Sequence, residues 1–390
     1  MTQRETDALF ILLRRGIGAG SDISAEQKEI IRESIPAIYK ESKKHDLAHL
    51  AAAVLFDAKL ISPEDDCFEE FKRIQIAAFY REARMTADLA DIVNVFEEAE
   101  IPFIPLKGSV LRDLYPEKWI RTSGDIDVLV PKADLKKAIS LLVEKKGYTY
   151  MSKYTHDVSL LSKNNFHIEI HFELIEEGVA SKSDKVLSNV WNYATKKQGY
   201  KYWYEMPDEV FYLYHMAHAA KHLLNGGCGI KVFLDLWMLE NKKSFDLCKR
   251  NELLKKTELI KFANAARELS RIWFDGAPIE KEEQVWLQNF VLGGGVYGTS
   301  TNHMIAQHQK RGGKLGYAIR LFFPSYNFMC RYFPILENHK WLTPFMYPVR
   351  WLSSIFRGNT KRVARVLKSN QQIPKEVDQT MRDLIDSLGL

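Results

Sequence analysis

The 390-residue sequence predicts an α+β protein, a small mixed sheet with flanking helices set between mainly helical N- and C-terminal regions. Three observations predict it. Apolar residues recur at three- and four-residue steps up to about residue 97 and again beyond about 185, which is the helical period. Between them the pattern changes to short apolar runs with period-two alternation, bounded by Gly, Pro and Asn turns. A chain with 46% hydrophobic and 12% aromatic residues, at a net charge of only +5, buries a substantial core, which excludes an intrinsically disordered protein.

The elements follow in order. Residues 1–16 hold a short apolar stretch flanked by charges, without a small-residue cleavage site, and read as an amphipathic helix rather than a signal peptide. Ser24-Ala25-Glu26-Gln27 matches a capping box and opens a helix toward Lys43. Phe68, Phe71, Ile74, Ala78, Met85, Leu89, Ile92 and Phe96 trace the buried stripe of a long helix. Residues 1–97 thus form a helical region with packing and no visible chemistry.

The α/β core spans 98–185. Residues 101–109 are an extended apolar run ending at Gly108-Ser109, and 110–115 a short helix stopped by Pro116. Residues 125–130 form a strand closed by Pro131, and 132–146 a helix ended by Gly147. Strands near 157–161 and 166–174 are joined by Ser162-Lys163-Asn164-Asn165. From 186 to 305 the helical period returns, with Pro207 opening a helix that runs to Leu224 and stops at Gly226-Gly227. Further helical patterns cover 230–241, 246–275, 279–291 and 375–388.

The last region, 306–390, is aromatic-rich and broken by Pro324, Pro334, Pro344 and Pro348. Within it, 310–368 carries twelve Lys and Arg against Glu337 alone. The segment suits solvated helix faces, a surface for an anionic acceptor such as RNA, or contact with an anionic membrane surface. No apolar run approaches the ~20 residues that span a bilayer, which predicts no transmembrane segment. Cys67, Cys228, Cys248 and Cys330 are scattered without CxxC pairs, as in a reduced, cytoplasmic protein.

The chemistry concentrates in the core. Asp125 and Asp127 lie two apart in a strand and leave the same face, while Ile126, Val128 and Val130 leave the other. Two carboxylates on one face repel unless a cation lies between them, and hard oxygen ligands favour Mg²⁺ or Mn²⁺ together with substrate phosphates. In the strand near 166–174, His167, Glu169, His171 and Glu173 alternate with Phe166, Ile168, Ile170 and Phe172. If the two strands are neighbours, Glu169 completes a triad of acids. Upstream, Gly108-Ser109 at a strand-to-helix junction offers backbone N–H groups and a hydroxyl to an anion. A phosphate cradle ahead of a two-acid strand suits metal-bound triphosphate and in-line displacement.

At these residues the chain resembles the DNA polymerase β-like nucleotidyltransferase superfamily, through Leu106-Lys107-Gly108-Ser109, Asp125-Ile126-Asp127 and Ile168-Glu169-Ile170. The longer string LKGSVLRDLYPEKWIRTSGDIDVLV, the later HIEIHFEL and the helix HMAHAAKHLLNGGCGIKVFLDLWML are similar to a bacterial branch of uncharacterised nucleotidyltransferases. Fifteen residues separate Ser109 from Asp125, slightly more than the superfamily usually shows, and the insertion Tyr115-Pro116-Glu117-Lys118-Trp119 accounts for the excess.

The resemblance implies a polymerase β-like core that moves a nucleoside monophosphate from an NTP donor to a hydroxyl or phosphate, releasing pyrophosphate. It implies that Asp125 and Asp127 hold Mg²⁺ (or Mn²⁺), with Glu169 as third ligand or base. Gly108 and Ser109 would hold the β/γ-phosphates, with Lys107 and Arg121 as further triphosphate contacts. Small molecules, polysaccharide precursors, proteins and RNA all remain open as acceptor.

The residues themselves leave other readings beside these. Lys107 suits a solvated strand edge, and Arg121 a pair with Glu117 or Asp113. His215, His218 and His222 share one helix stripe with Lys221 beside it, and suit satisfied core histidines, a polar wall over the nucleotide, or a zinc pair at 218 and 222. The resemblance favours the wall for His218, Lys221 and His222, with Asp235 as partner for one imidazole. A nucleotide-sugar glycosyltransferase using the Asp-x-Asp strand, or a degenerate nucleotide- or RNA-binding module, are the alternative functions.

Overall fold

The computed structural model describes residues 1–154, 156–174, 182–296, 298–356 and 360–390. The chain opens with α1 (Gln3–Gly16), α2 (Ala25–Glu33), α3 (Ile35–Lys44), α4 (Ala48–Asp57) and the long α5 (Phe68–Glu98). Ser24 and Gln27 make the reciprocal bonds of a capping box at α2. The single helix expected from Ser24 to Lys43 is two, because Pro36 sits in the first turn of α3, where its missing N–H starts a new helix.

The core follows: β1 (Ile104–Pro105), α6 (Gly108–Leu111), β2 (Asp125–Leu129), α7 (Leu135–Lys146), β3 (Thr149–Lys153), β4 (Asp157–Leu161) and β5 (His167–His171). The strands form one mixed sheet in the order β1-β2-β5-β4-β3, antiparallel except for the central β2–β5 pair. Strand β3 is additional to the strands expected from the sequence; its residues are mostly exposed, so the apolar alternation that marks a strand is missing. Gly147 ends α7 in the left-handed conformation, at φ 66°.

Next come α8 (Lys182–Leu187), the ribbon β6 (Thr195–Lys196) with β7 (Tyr204–Glu205), α9 (Asp208–Leu224), α10 (Ile230–Lys242), α11 (Leu247–Lys256), α12 (Ile260–Asp275) and α13 (Glu282–Gly294). The pattern that reads as one helix over 246–275 is thus two. The remainder is α14 (Ser300–Arg311), α15 (Gly313–Phe322), α16 (Tyr326–Tyr332), α17 (Thr343–Phe356), α18 (Thr360–Gln372) and α19 (Lys375–Ser387), with Pro348 inside α17.

Two apolar clusters flank the sheet. On one face Ile126, Val128, Val158, Leu160, Ile168 and Ile170 pack with α7 and the second half of α5. The other cluster joins α1, α4, α9, α10 and α12, where Trp273 stacks on Phe10 at 4.9 Å. Leu129, on the same strand face as Asp125 and Asp127, belongs to this second cluster. The carboxylate face of the sheet is therefore turned toward the helical layer, and the polar groups that meet there lie in a covered cleft.

Candidate active site

The site begins with strand register. Parallel pairing sets Asp125 against His167 and Asp127 against Glu169, so the acids expected to share a face become direct neighbours. On the far side of β5, antiparallel pairing sets Asp157 against His171 and Ser159 against Glu169. Asp127 is 2% exposed; its Oδ1 accepts from Lys107 Nζ at 3.2 Å and lies 2.9 Å from His171 Nε2. His171 Nε2 also lies 3.4 Å from Glu169 Oε2. Among the described residues, one ligand atom each from Asp127, Glu169 and His171 falls within 4.8 Å of the others, and the same holds for His156, Asp157 and His171.

Electrostatics set the two strand aspartates apart. Burial, then the neighbouring Asp127 and Glu169, push the Asp125 carboxyl up to about 6, with Lys107 and Arg121 opposing. Burial also works against the Asp127 charge, but Lys107 and the hydrogen bond to His171 outweigh it and hold this carboxyl below the usual range. His171 is raised to about 9: burial opposes its charge, and the bonds to Asp127 and Glu169 more than compensate. Lys107 is likewise held above the ordinary lysine value, against burial, by Asp127 and its neighbours. Lys107 is therefore an inward cation, not a solvated strand-edge residue, and its backbone takes the left-handed φ of 40°.

Gly108 and Ser109 open α6. A Cβ at Gly108 would lie 1.9 Å from Ser123 Oγ, so the close approach of the loop before β2 demands glycine. The N–H groups of Ser109 and Val110 close turns on Leu106 O and Lys107 O, so these two are not the free donors expected at the junction. The Ser109 hydroxyl is buried without a partner, as are Asp157 Oδ1 and His171 Nδ1.

Arg121 faces inward. Its Nε and Nη2 donate to Asp235 at 2.8 and 2.9 Å, and its Nη1 donates to Thr122 O and Ser123 Oγ at 2.7 and 2.9 Å. Tyr115 OH completes the cluster with a 2.7 Å bond to Asp235. Asp235 thus serves a guanidinium and a phenol rather than an imidazole, and Asp113 pairs with Lys118.

The histidine stripe divides. His215 Nε2 lies 3.0 Å from Val232 O, a satisfied core histidine. His218 and His222 face each other at 3.1 Å, and burial and the Lys107 charge depress both, His222 to about 4. Among the described residues no third ligand joins them as a zinc site would need. Lys221 is half-buried beside them and adds to the depression of His222. Tyr214, one turn earlier, is fully enclosed within reach of the Lys107, Asp127 and Asp125 charges. Reading the sequence misses Tyr214, His156 and Asp157; the strand parity of 157 with Ser159 is the signal for the last.

Of the basic segment, Arg357 lies outside the described residues, while Leu315, Trp341 and Phe345 are 73%, 69% and 66% exposed. Among the described residues, no helix is long and apolar enough to cross a membrane.

The group of Asp127, Glu169 and His171 is rich in hard oxygen, with one imidazole, and buried polar atoms beside it lack partners, which fits a divalent cation and a phosphate group. No curated protein and no solved structure matches the chain. A family model described as uncharacterised nucleotidyltransferase matches residues 32–275, from the end of α2 through α12, enclosing the whole sheet and α9. The chain belongs to this uncharacterised nucleotidyltransferase family.

Proposed function

We propose that the protein transfers a nucleoside monophosphate from an NTP to an acceptor hydroxyl or phosphate, with release of pyrophosphate and dependence on Mg²⁺ or Mn²⁺. The observation that carries this reading is the β2–β5 register, which sets Asp127 beside Glu169 while Asp125, two residues away, is pushed to about 6 by burial and its acidic neighbours. Asp125, Asp127 and Glu169 would hold the metal, which when bound neutralises phosphate charge and activates the attacking oxygen. His171 fixes the Asp127 carboxylate, and Lys107 supplies a permanent cation beside it. The unpartnered Ser109 hydroxyl is assigned to a donor phosphate oxygen. Tyr214, His218, Lys221 and His222 form the wall over the nucleotide. We assign Arg121 to positioning the 121–124 loop, since its donors are directed at Asp235, Thr122 and Ser123.

In the reaction the acceptor oxygen bonds to the α-phosphorus, the α–β phosphoanhydride bond breaks, and pyrophosphate leaves. Glu169, with a side chain 33% exposed against 1% for Asp127, is the acid an acceptor can reach, and it takes the hydroxyl proton. The test is incubation with each NTP labelled at the α-phosphate, with Mg²⁺ or Mn²⁺ and extract of the source cell, using Asp125→Asn as the blank. Metal-dependent label in a protein, RNA or small-molecule fraction, missing from the blank, supports the reading. Equal labelling by the blank overturns it.

A further inference from the structure

A second polar cavity, about 660 Å³ in volume, borders the start of β2 and takes no part in the roles assigned above. Lys43 and Lys44 at the end of α3, Arg81 and Arg84 on α5, and Asp46 line it, and it reaches Gly124, the residue before Asp125. Its size falls in the range of ligand pockets, about 300–1,000 Å³.

Two of the four cations of this wall, Lys43 and Arg84, bond only to neutral groups among the described residues. Lys43 Nζ donates to the Tyr39 hydroxyl at 3.1 Å, and Arg84 Nη1 to the Asn164 carbonyl at 3.1 Å, both neutral partners. Asp46 already receives hydrogen bonds from Lys231 and the Thr122 hydroxyl, and Arg81 approaches it only to 3.9 Å. Lys44 pairs with Glu41 at 3.1 Å and donates to Leu292 O. Opposite, Gly295 has φ 67°, and a Cβ there would lie 2.9 Å from both Lys44 Cγ and Lys44 O, so the backbone after α13 presses on the lysine. Two parts of the fold, the end of α3 and the middle of α5, thus bring cations to one cavity at the edge of the carboxylate cluster, where Asp46, the acid that lines it, is already matched by Lys231.

We propose that this cavity binds the phosphate monoester of a phosphorylated acceptor and so holds the acceptor hydroxyl toward Asp125 and Glu169. The proposal rests on the nucleotidyl-transfer reading for the identity of the ligand, though not for the binding itself. The monoester is unchanged in the reaction; only the hydroxyl forms a bond, to the α-phosphorus, and yields its proton to Glu169. Such a group fits the wall chemically, because guanidinium and ammonium donors make their strongest hydrogen bonds to phosphate oxygens.

The experiment titrates ribose 5-phosphate into the full chain by calorimetry, with Mg²⁺ and α,β-methylene-ATP present, and ribose as the neutral control. Ribose 5-phosphate is expected to bind saturably and ribose not at all. Arg81→Glu/Arg84→Glu is expected to weaken binding about tenfold or more, as loss of charge-assisted bonds does. The side chains of Lys43 and Arg84 are exposed, so Lys43→Gln provides a second variant, with a smaller loss in the same direction, should the double reversal unfold the chain. Absence of binding, equal binding of ribose, or unaltered affinity in the variants overturns the proposal. The nucleotide analogue is titrated separately: its failure to bind defeats the nucleotidyltransferase reading, while the ribose 5-phosphate result still decides the cavity.

Discussion

Two aspartates on either side of the cleft, Asp127 and Asp235, are each 2% exposed, yet they belong to opposite kinds of polar cluster. Asp235 is closed: Arg121 grips it with two bonds, Tyr115 adds a third, and the remaining guanidinium nitrogen is satisfied by Thr122 and Ser123. Asp127 is open: Lys107 and His171 hold it, but its charge and that of Glu169 push the neighbouring Asp125 up, and Ser109 Oγ, Asp157 Oδ1 and His171 Nδ1 have no partner. Buried polar groups almost always have a hydrogen-bond partner, in the protein or in ordered water. Burial therefore does not separate a site from scaffold here. What distinguishes these two clusters is whether each completes its own hydrogen bonds and charge balance.

The largest effect should come from breaking the open cluster. Asp125→Asn and Asp127→Asn are expected to reduce metal-dependent transfer of α-labelled nucleotide to background. At the same time Asp125→Asn removes a carboxylate that burial and Asp127 disfavour, so the metal-free protein should gain stability, on the order of 1 kcal/mol. Thermal melting in EDTA reads this; a variant that loses both activity and stability would place Asp125 with the closed class.

The closed cluster predicts the reverse pattern. Asp235→Ala strands a buried guanidinium and should cost roughly 3–5 kcal/mol in denaturant unfolding. Arg121→Lys should recover little of the loss from Arg121→Ala, because one ammonium cannot make the paired bonds of the guanidinium. Melting of Asp235→Ala at the unmodified temperature would erase the distinction between the two aspartates.

How much of this was legible in the sequence depends on the range of the interaction. The alternation in 125–130 and 166–172 gave the polar face, and the neighbouring of Asp127 and Glu169 needed only that the strands pair. The capping box at Ser24 and the glycine after α7 are local signals and appear where expected. Pairing of Arg121 with Asp235 spans 114 residues and rests on the docking of α10 against the loop before β2, which no local pattern encodes. The same is true of the convergence of α3, α5 and the glycine-rich turn after α13 on one basic cavity. Tyr214, one turn before His218 on the same helix, escapes notice because it reads as an ordinary core aromatic.

Acid should reach the closed side through His49, whose Nε2 lies 2.7 Å from Ile120 O, next to Arg121. Burial, then the Lys231 charge, depress His49 to about 4. A histidine neutral when folded and near 6.5 when unfolded contributes stability above pH 6.5, which is lost as pH falls toward 4, because the unfolded chain then binds the extra proton. The expected loss across that window is roughly 3 kcal/mol. His49→Gln should flatten that part of the stability–pH curve, and an unchanged slope would mean that His49 is not the group responsible.

The smallest expected effect tests the boundary of the open cluster. Strand parity puts Glu173 on the face of Glu169 and His171, and the sequence alone extends the acidic row to it. In the structure β5 ends at His171, and Glu173 lies 3.1 Å from Lys132 with side chains 47% and 72% exposed, a surface ion pair. Such pairs contribute about 0–1 kcal/mol, since solvent screens them and ordering two flexible side chains offsets the attraction. Glu173→Gln should therefore shift stability by less than about 0.5 kcal/mol and leave transfer intact, whereas Glu169→Gln, four residues earlier within the strand itself, should abolish it. Loss of transfer in Glu173→Gln would mean that the carboxylate row continues past the strand's end, and that closure of hydrogen bonds at the surface is a poor guide to which acids work.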